Sequence, residues 1–149
     1  MTQQRTQTLL EWAQGVPKID LHRHLEGSLR LDTLADIAIE HGIDLPSYDI
    51  EQLRPYVQVT EETPDYHRFL EKFKLLRRFY TSKEAVQRIT REAILDAAED
   101  NVRYLELRFN PVALARAQGF PLPDVIDWVK ETVAETQMET GTRTCLILS

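Results

Sequence analysis

Three short runs, Lys18–His22, Val102–Phe109 and Arg143–Leu148, read as strands. Between them lie stretches whose apolar residues recur at helical spacing. This alternation constrains the fold more than any other feature of the chain. Strands separated by helices pair in parallel through right-handed crossovers, in a sheet that those helices cover. The helical stretches carry start and stop signals. A first helix, around Thr6–Gln14, places Leu9, Leu10 and Ala13 on one side and stops at Gly15 and Pro17. Asp32 is positioned to cap a second, with Leu34, Ile37 and Ala38 inward and Gly42 at its end. From Leu45 to Thr60 the pattern reads as loop with one short helix near Asp49–Leu53. Thr63 followed by Pro64 marks the start of a helix reaching about Tyr80, striped by Tyr66, Phe69, Leu70, Phe73 and Leu76. Ser82 caps the next, with Val86, Ile89, Ala93 and Ala97 inward. Pro123 opens a last helix, with Val125, Ile126, Val129 and Val133 inward, ending at Gly141.

The first crossover is long. Roughly eighty residues separate the first two strands, where a crossover needs only about a dozen. Such an excursion from the carboxyl end of a strand is expected to build a lid or pocket wall. Composition narrows the function classes. A net charge of −6 leaves no basic surplus to neutralise phosphates, which argues against nucleic-acid or anionic-membrane binding. The cluster of Lys72, Lys74, Arg77 and Arg78 reads as the solvated side of a helix. The single cysteine, Cys145, excludes an internal disulfide and sits in the apolar run TCLIL, where a buried, inert thiol is expected. No signal peptide or membrane-spanning run is present, and the expected location is cytoplasmic.

Two of the four histidines, His22 and His24, sit one residue apart at the end of the first strand. Residues i and i+2 of a strand share a face. The imidazoles are therefore expected side by side with Asp20 below them, and Ile19, Leu21 and Leu25 opposite, towards covering helices. Two imidazoles on one rigid element suit a divalent ion such as zinc. On spacing alone such a pair is more often solvent-facing or hydrogen-bonded than a ligand pair, since H-x-H is a short motif. His41 and His67 fall on helices and are expected at the surface.

The run PKIDLHRHLEGS, Pro17 to Ser28, closely resembles the opening motif of the adenosine deaminase family, within the metal-dependent amidohydrolases. FLEKF, Phe69 to Phe73, resembles that family's F-L-x-K-F helix. YLELRFNP, Tyr104 to Pro111, resembles its second-strand motif Y-x-E-x-R-x-x-P. The resemblance implies a parallel TIM-type (β/α)₈ barrel, of which residues 1–149 supply about the first three strands as the N-terminal part of one domain. It implies His22 and His24 as ligands of one Zn²⁺. Glu26 and Gly27 then lie against the substrate near its sugar, and Phe69, Leu70 and Phe73 form an apolar wall and gate over the purine. Glu106 and Arg108, on one strand face with Tyr104, are expected to pair and, with Asp20, to support the site structurally. The implied reaction is hydrolytic deamination of an adenine ring, adenosine to inosine and ammonia, with a small purine nucleoside or base as the partner molecule. The P-C-x-x-C motif of the other zinc deaminase class is absent, since the chain has a single cysteine.

A full barrel takes roughly 250 residues, so the chain is expected to be a piece of a longer enzyme. The proton donor, the base and the other zinc ligands are then expected beyond Ser149, and the segment alone is expected to be inactive and to hold zinc poorly. Glu26 stands where family members acting on adenosine more often carry aspartate, which keeps free adenine and aminodeoxyfutalosine open as substrates. Other readings are an H-x-H phosphoesterase, disfavoured by the L-E-G-S continuation, and a non-catalytic half-barrel that pairs its open edge with another chain.

Overall fold

The computed structural model describes residues 2–60 and 65–149. Three strands, β1 (Lys18–His24), β2 (Val102–Phe109) and β3 (Arg143–Leu148), form one parallel sheet in the order β1-β2-β3. Helix α1 (Thr2–Gly15) precedes the sheet. Between β1 and β2 come α2 (Leu31–His41), α3 (Ile50–Val57), α4 (Tyr66–Leu76) and α5 (Lys83–Glu99). Between β2 and β3 come α6 (Pro111–Gln118) and α7 (Leu122–Thr140). The arrangement is that expected for part of a (β/α)₈ barrel.

Local chemistry explains most of the boundaries. Asp49, Asp65, Ser82 and Asn110 cap α3, α4, α5 and α6 by accepting backbone N–H bonds in the first turn. Gly42, Gly119 and Gly141 end α2, α6 and α7 at φ of 64°, 74° and 72°, the left-handed region that glycine adopts at no steric cost. Ser82→Ala removes the acceptor for the Ala85 N–H at 3.1 Å and is expected to cost about 1 kcal/mol in thermal unfolding.

Several expected boundaries move. β1 runs two residues further, to His24. Asp32 sits inside the first turn of α2 rather than capping it; Arg30 holds the cap position and makes no side-chain cap bond. α3 extends past Leu53 to Val57 with Pro55 inside it. α4 stops at Leu76, where a single 3₁₀ turn, Arg77–Phe79, tucks Phe79 and Tyr80 into the core. The Thr63–Pro64 start expected for α4 lies outside the described residues. α6 is an unanticipated helix, although Asn110, Pro111 and Gly119 are its cap, first-turn proline and terminating glycine.

The core lies between the sheet and the helices. Leu105, Leu107 and Phe109 of β2 are buried with Val86, Ile89, Ala93 and Ala97 of α5 and Val125, Val129 and Val133 of α7. The other face of β2 carries Tyr104, Glu106 and Arg108. Here β1 departs from plain alternation. Leu21 stands opposite Glu106 and Arg23 opposite Leu107, so His22 is an extra residue on β1, held at φ 86°. Ile19 and Leu21 therefore share the face of Tyr104 and Glu106 and are 68% and 61% exposed, not covered by helices as expected. Asp20 takes the helix-side face with Arg23, which donates to it at 2.7 Å, and does not lie in the histidine row. Among the described residues no helix is long and apolar enough to cross a membrane.

Candidate metal and substrate site

The bulge at His22 brings the two imidazoles together at the carboxyl end of β1, with ring centroids 5.0 Å apart and the rings edge-on. His24 stands opposite Arg108 in the sheet register. Arg108 Nη1 lies 3.2 Å from His22 Nε2. A guanidinium can only donate, so His22 Nε2 accepts in this contact, and a metal at that nitrogen would displace Arg108. Partial burial holds the His24 pKa below its usual value against the opposing pull of Glu26, and the nearby charges of His22, Arg108 and Arg77 lower it further. The lowered pKa favours the neutral, ligand-competent form of the His24 imidazole. Among the described residues no group of three or more His, Cys, Asp or Glu could hold a metal ion. A catalytic zinc takes three or more protein ligands. The pair therefore fits two of the ligands such a site takes, fewer than a catalytic zinc requires.

Glu26 sits directly behind the pair, on a 3₁₀ turn at Leu25–Gly27, and is 1% exposed. The backbone N–H of Asn110 donates to its Oε1 at 3.0 Å, and Arg77 Nε lies 3.7 Å from the same oxygen, within ion-pair range but too far for a hydrogen bond. Oε2 is buried and has no partner among the described residues, an acceptor awaiting a donor. The buried Tyr80 hydroxyl donates to the Leu25 carbonyl at 2.8 Å and fixes the turn from beneath. Burial, with the Glu26 charge adding to it, raises the Tyr80 pKa well above the phenol range.

α4 forms one wall. Phe73 meets His24 edge-on at 5.6 Å, and Phe69 meets Phe73 at 5.1 Å. The Phe73 ring lies 3.5 Å from where a Cβ on Gly27 would sit, in ordinary contact. His24, Gly27 and Phe73 line a cleft of about 560 Å³ together with Arg23, Arg30 and Asp96. A smaller one of about 200 Å³ runs between Phe69, Phe73, Val57 and Val59. Phe69 and Leu70 are exposed, and Leu70 lines neither cleft.

Three expectations about supporting residues are corrected. Glu106 and Arg108 do not pair with each other. Glu106 accepts from the Tyr104 hydroxyl at 3.2 Å, and Arg108 turns to His22. Cys145 is half-buried beside Tyr104 rather than sunk in the core, and the hydrogen bond between the two, with Glu106 adding to it, pushes the tyrosine pKa up to about 12. Lys72 is not solvated. It is 8% exposed, and its Nζ donates to the Pro55 and Gln58 carbonyls. Arg77, Tyr80 and Asn110 were not foreseen at the site. Asn110 lies within the second-strand motif, whereas nothing local in the sequence marks Arg77 as the neighbour of Glu26.

A parallel strand thus ends in two convergent imidazoles, with a buried carboxylate and an aromatic wall beside them. The family model for adenosine deaminase matches residues 17–149. An adenosine deaminase of Aliivibrio fischeri (strain MJ11) is 36% identical over 132 residues, covering 89% of this chain and 40% of that protein. Among solved structures, an adenine deaminase from Arthrobacter aurescens superposes with a TM-score of 0.78 at 29% identity, covering 89% of this chain and 39% of that one. An amidohydrolase from Burkholderia ambifaria with bound Zn superposes at 0.80 and 27% identity, covering 93% and 36%. The chain belongs to the adenosine deaminase family, and it spans about two fifths of the length of the curated relatives it matches.

Proposed function

We propose that residues 1–149 are the N-terminal part of a single barrel domain that hydrolytically deaminates an adenine ring in the cytoplasm. The observation that carries this reading is the convergence of His22 and His24 at the carboxyl end of β1 in a chain of this family. In the reaction, water adds to the ring carbon bearing the amine and ammonia leaves, giving the oxo-purine. His22 and His24 would hold Zn²⁺, which when bound acidifies water enough to supply hydroxide near neutral pH. The zinc-bound amidohydrolase neighbour supports that choice of metal.

The remaining steps fall to the chain's own groups. Phe73 and Phe69 offer aromatic edges to a planar base and keep water from one side of the cleft. The free Oε2 of Glu26 accepts a hydrogen bond from an O–H or N–H of the substrate, its Oε1 being occupied by Asn110. Gly27 leaves room for the substrate beside Phe73. Adenosine is the first choice, and free adenine and aminodeoxyfutalosine are the alternatives that a glutamate at position 26 keeps open. Arg108, Glu106 and Asp20 act structurally, through the contacts described above.

The test uses the product of the complete coding sequence. Metal analysis should find one zinc per chain, and ammonia release should be fastest with adenosine of the three substrates. Ammonia release from none of them, or phosphate release from a phosphate ester instead, would overturn the assignment.

A further inference from the structure

The burial of Lys72 calls for a reason, because an ammonium out of water needs acceptors for its three donors. It finds two of them at the end of another helix: the Pro55 carbonyl at 2.5 Å and the Gln58 carbonyl at 2.7 Å. These belong to the last turn and the C-cap of α3, where carbonyls lack helical partners and the helix dipole favours a cation. Lys72 thus joins α4 to the C-terminus of α3. From the same helix a row of rings runs inward: Phe69 to Phe73 at 5.1 Å, Phe73 to His24 at 5.6 Å, and His24 to His22 at 5.0 Å, each edge-on. Lys72 is adjacent to Phe73 in sequence and lines the small cleft with it.

We propose that Lys72 is a positioning residue for the imidazole pair: by clamping α4 to the terminal carbonyls of α3 it holds Phe73 against His24 and so sets the orientation of the His24 ring. The α3–α4 unit and the histidine pair then move as one. When the clamp holds, the aromatic wall stands over the cleft with His24 seated; when it opens, the wall withdraws and His24 loses its support. This rests on the functional reading only for its consequence in catalysis.

The test needs neither metal nor substrate, so it stands or falls separately from the deaminase assignment. Histidine-selective ¹H–¹³C spectra of the metal-free full chain are compared for wild type, Lys72→Met, Lys72→Arg and Phe73→Leu. Lys72→Met, which keeps the aliphatic stem and loses the donors, should shift the His24 ring resonances in the direction that Phe73→Leu shifts them, with His41 on α2 unmoved. Lys72→Arg, which keeps cationic donors, should leave His24 close to wild type. His24 unmoved in Lys72→Met while Phe73→Leu moves it would overturn the proposal. If Lys72→Met fails to fold, wild type in sub-denaturing urea decides. The Pro55 and Gln58 carbonyl resonances should move together with the His24 ring, and independent movement would overturn the coupling.

Discussion

Glu26→Ala should lower the stability of the chain by about 2–3 kcal/mol, while Glu26→Gln stays within about 1 kcal/mol of wild type. The alanine variant strips the acceptor from the Asn110 N–H, bonded at 3.0 Å, at the N-cap of α6, which packs against α7 and the 3₁₀ turn Arg77–Phe79. A buried donor left without a partner costs about 1–3 kcal/mol. The substitution also removes the carboxylate 3.7 Å from Arg77 Nε, a nitrogen buried without a hydrogen bond among the described residues. The Arg77 side chain is 32% exposed, so water recovers part of that loss and the full cost of breaking a buried pair is not reached. The opposing effect is relief of the partnerless Oε2. It is smaller, since a single unsatisfied oxygen is exchanged for an unsatisfied N–H and a stranded guanidinium. Glutamine keeps an oxygen for Asn110 in the same place, which is why it is expected to be tolerated. At this chain length about 2–3 kcal/mol corresponds to a drop in Tm of roughly 4–12 °C, within reach of thermal unfolding followed by circular dichroism. An unchanged Tm in Glu26→Ala would show that the carboxylate serves only a ligand. An equal drop in Glu26→Gln would show that charge, not the Asn110 bond, carries the stabilisation.

What the sequence made legible, and what it hid, divides along the range of the interaction. Strands β2 and β3 and the Ser82 cap were readable because apolar runs and caps act over a few residues. So was the proximity of His22 and His24, neighbours on one strand. The way they converge was not. Period-two alternation puts Asp20 in their row, whereas the extra residue at His22 inverts the pattern and sends Asp20 to Arg23 and Ile19 and Leu21 to the open face. Nothing in H-x-H announces a positive φ. Two other misses come from acceptors and donors on the backbone, which no side-chain pattern marks. Lys72 is buried by the carbonyls of Pro55 and Gln58, and Glu26 by the N–H of Asn110, 84 residues away. α6 is a different case, since its cap, proline and glycine were all present in the sequence.

His24→Ala, made in the product of the complete coding sequence, should abolish stoichiometric zinc and with it at least about a thousandfold of the deamination rate, while leaving the fold intact. The size follows from the chemistry the ion supplies. Several kcal/mol of charge stabilisation are lost at once, and each 1.36 kcal/mol is a factor of ten in rate. The fold should survive because His24 is only half-buried, and none of its ring contacts carries the core: His22 is exposed, and Phe73 keeps Phe69 and Gly27 as neighbours. His22→Ala should lose zinc similarly, but with a difference that separates the two positions. His22 occupies the bulge at φ 86°, a conformation that costs a side chain about 1–3 kcal/mol, so His22→Gly should lose zinc yet gain stability over His22→Ala. Metal analysis, ammonia release and thermal unfolding on the same three proteins suffice. Full zinc occupancy in His24→Ala would remove that imidazole from the ligand set, and the deaminase reading would then lose the geometry on which it stands.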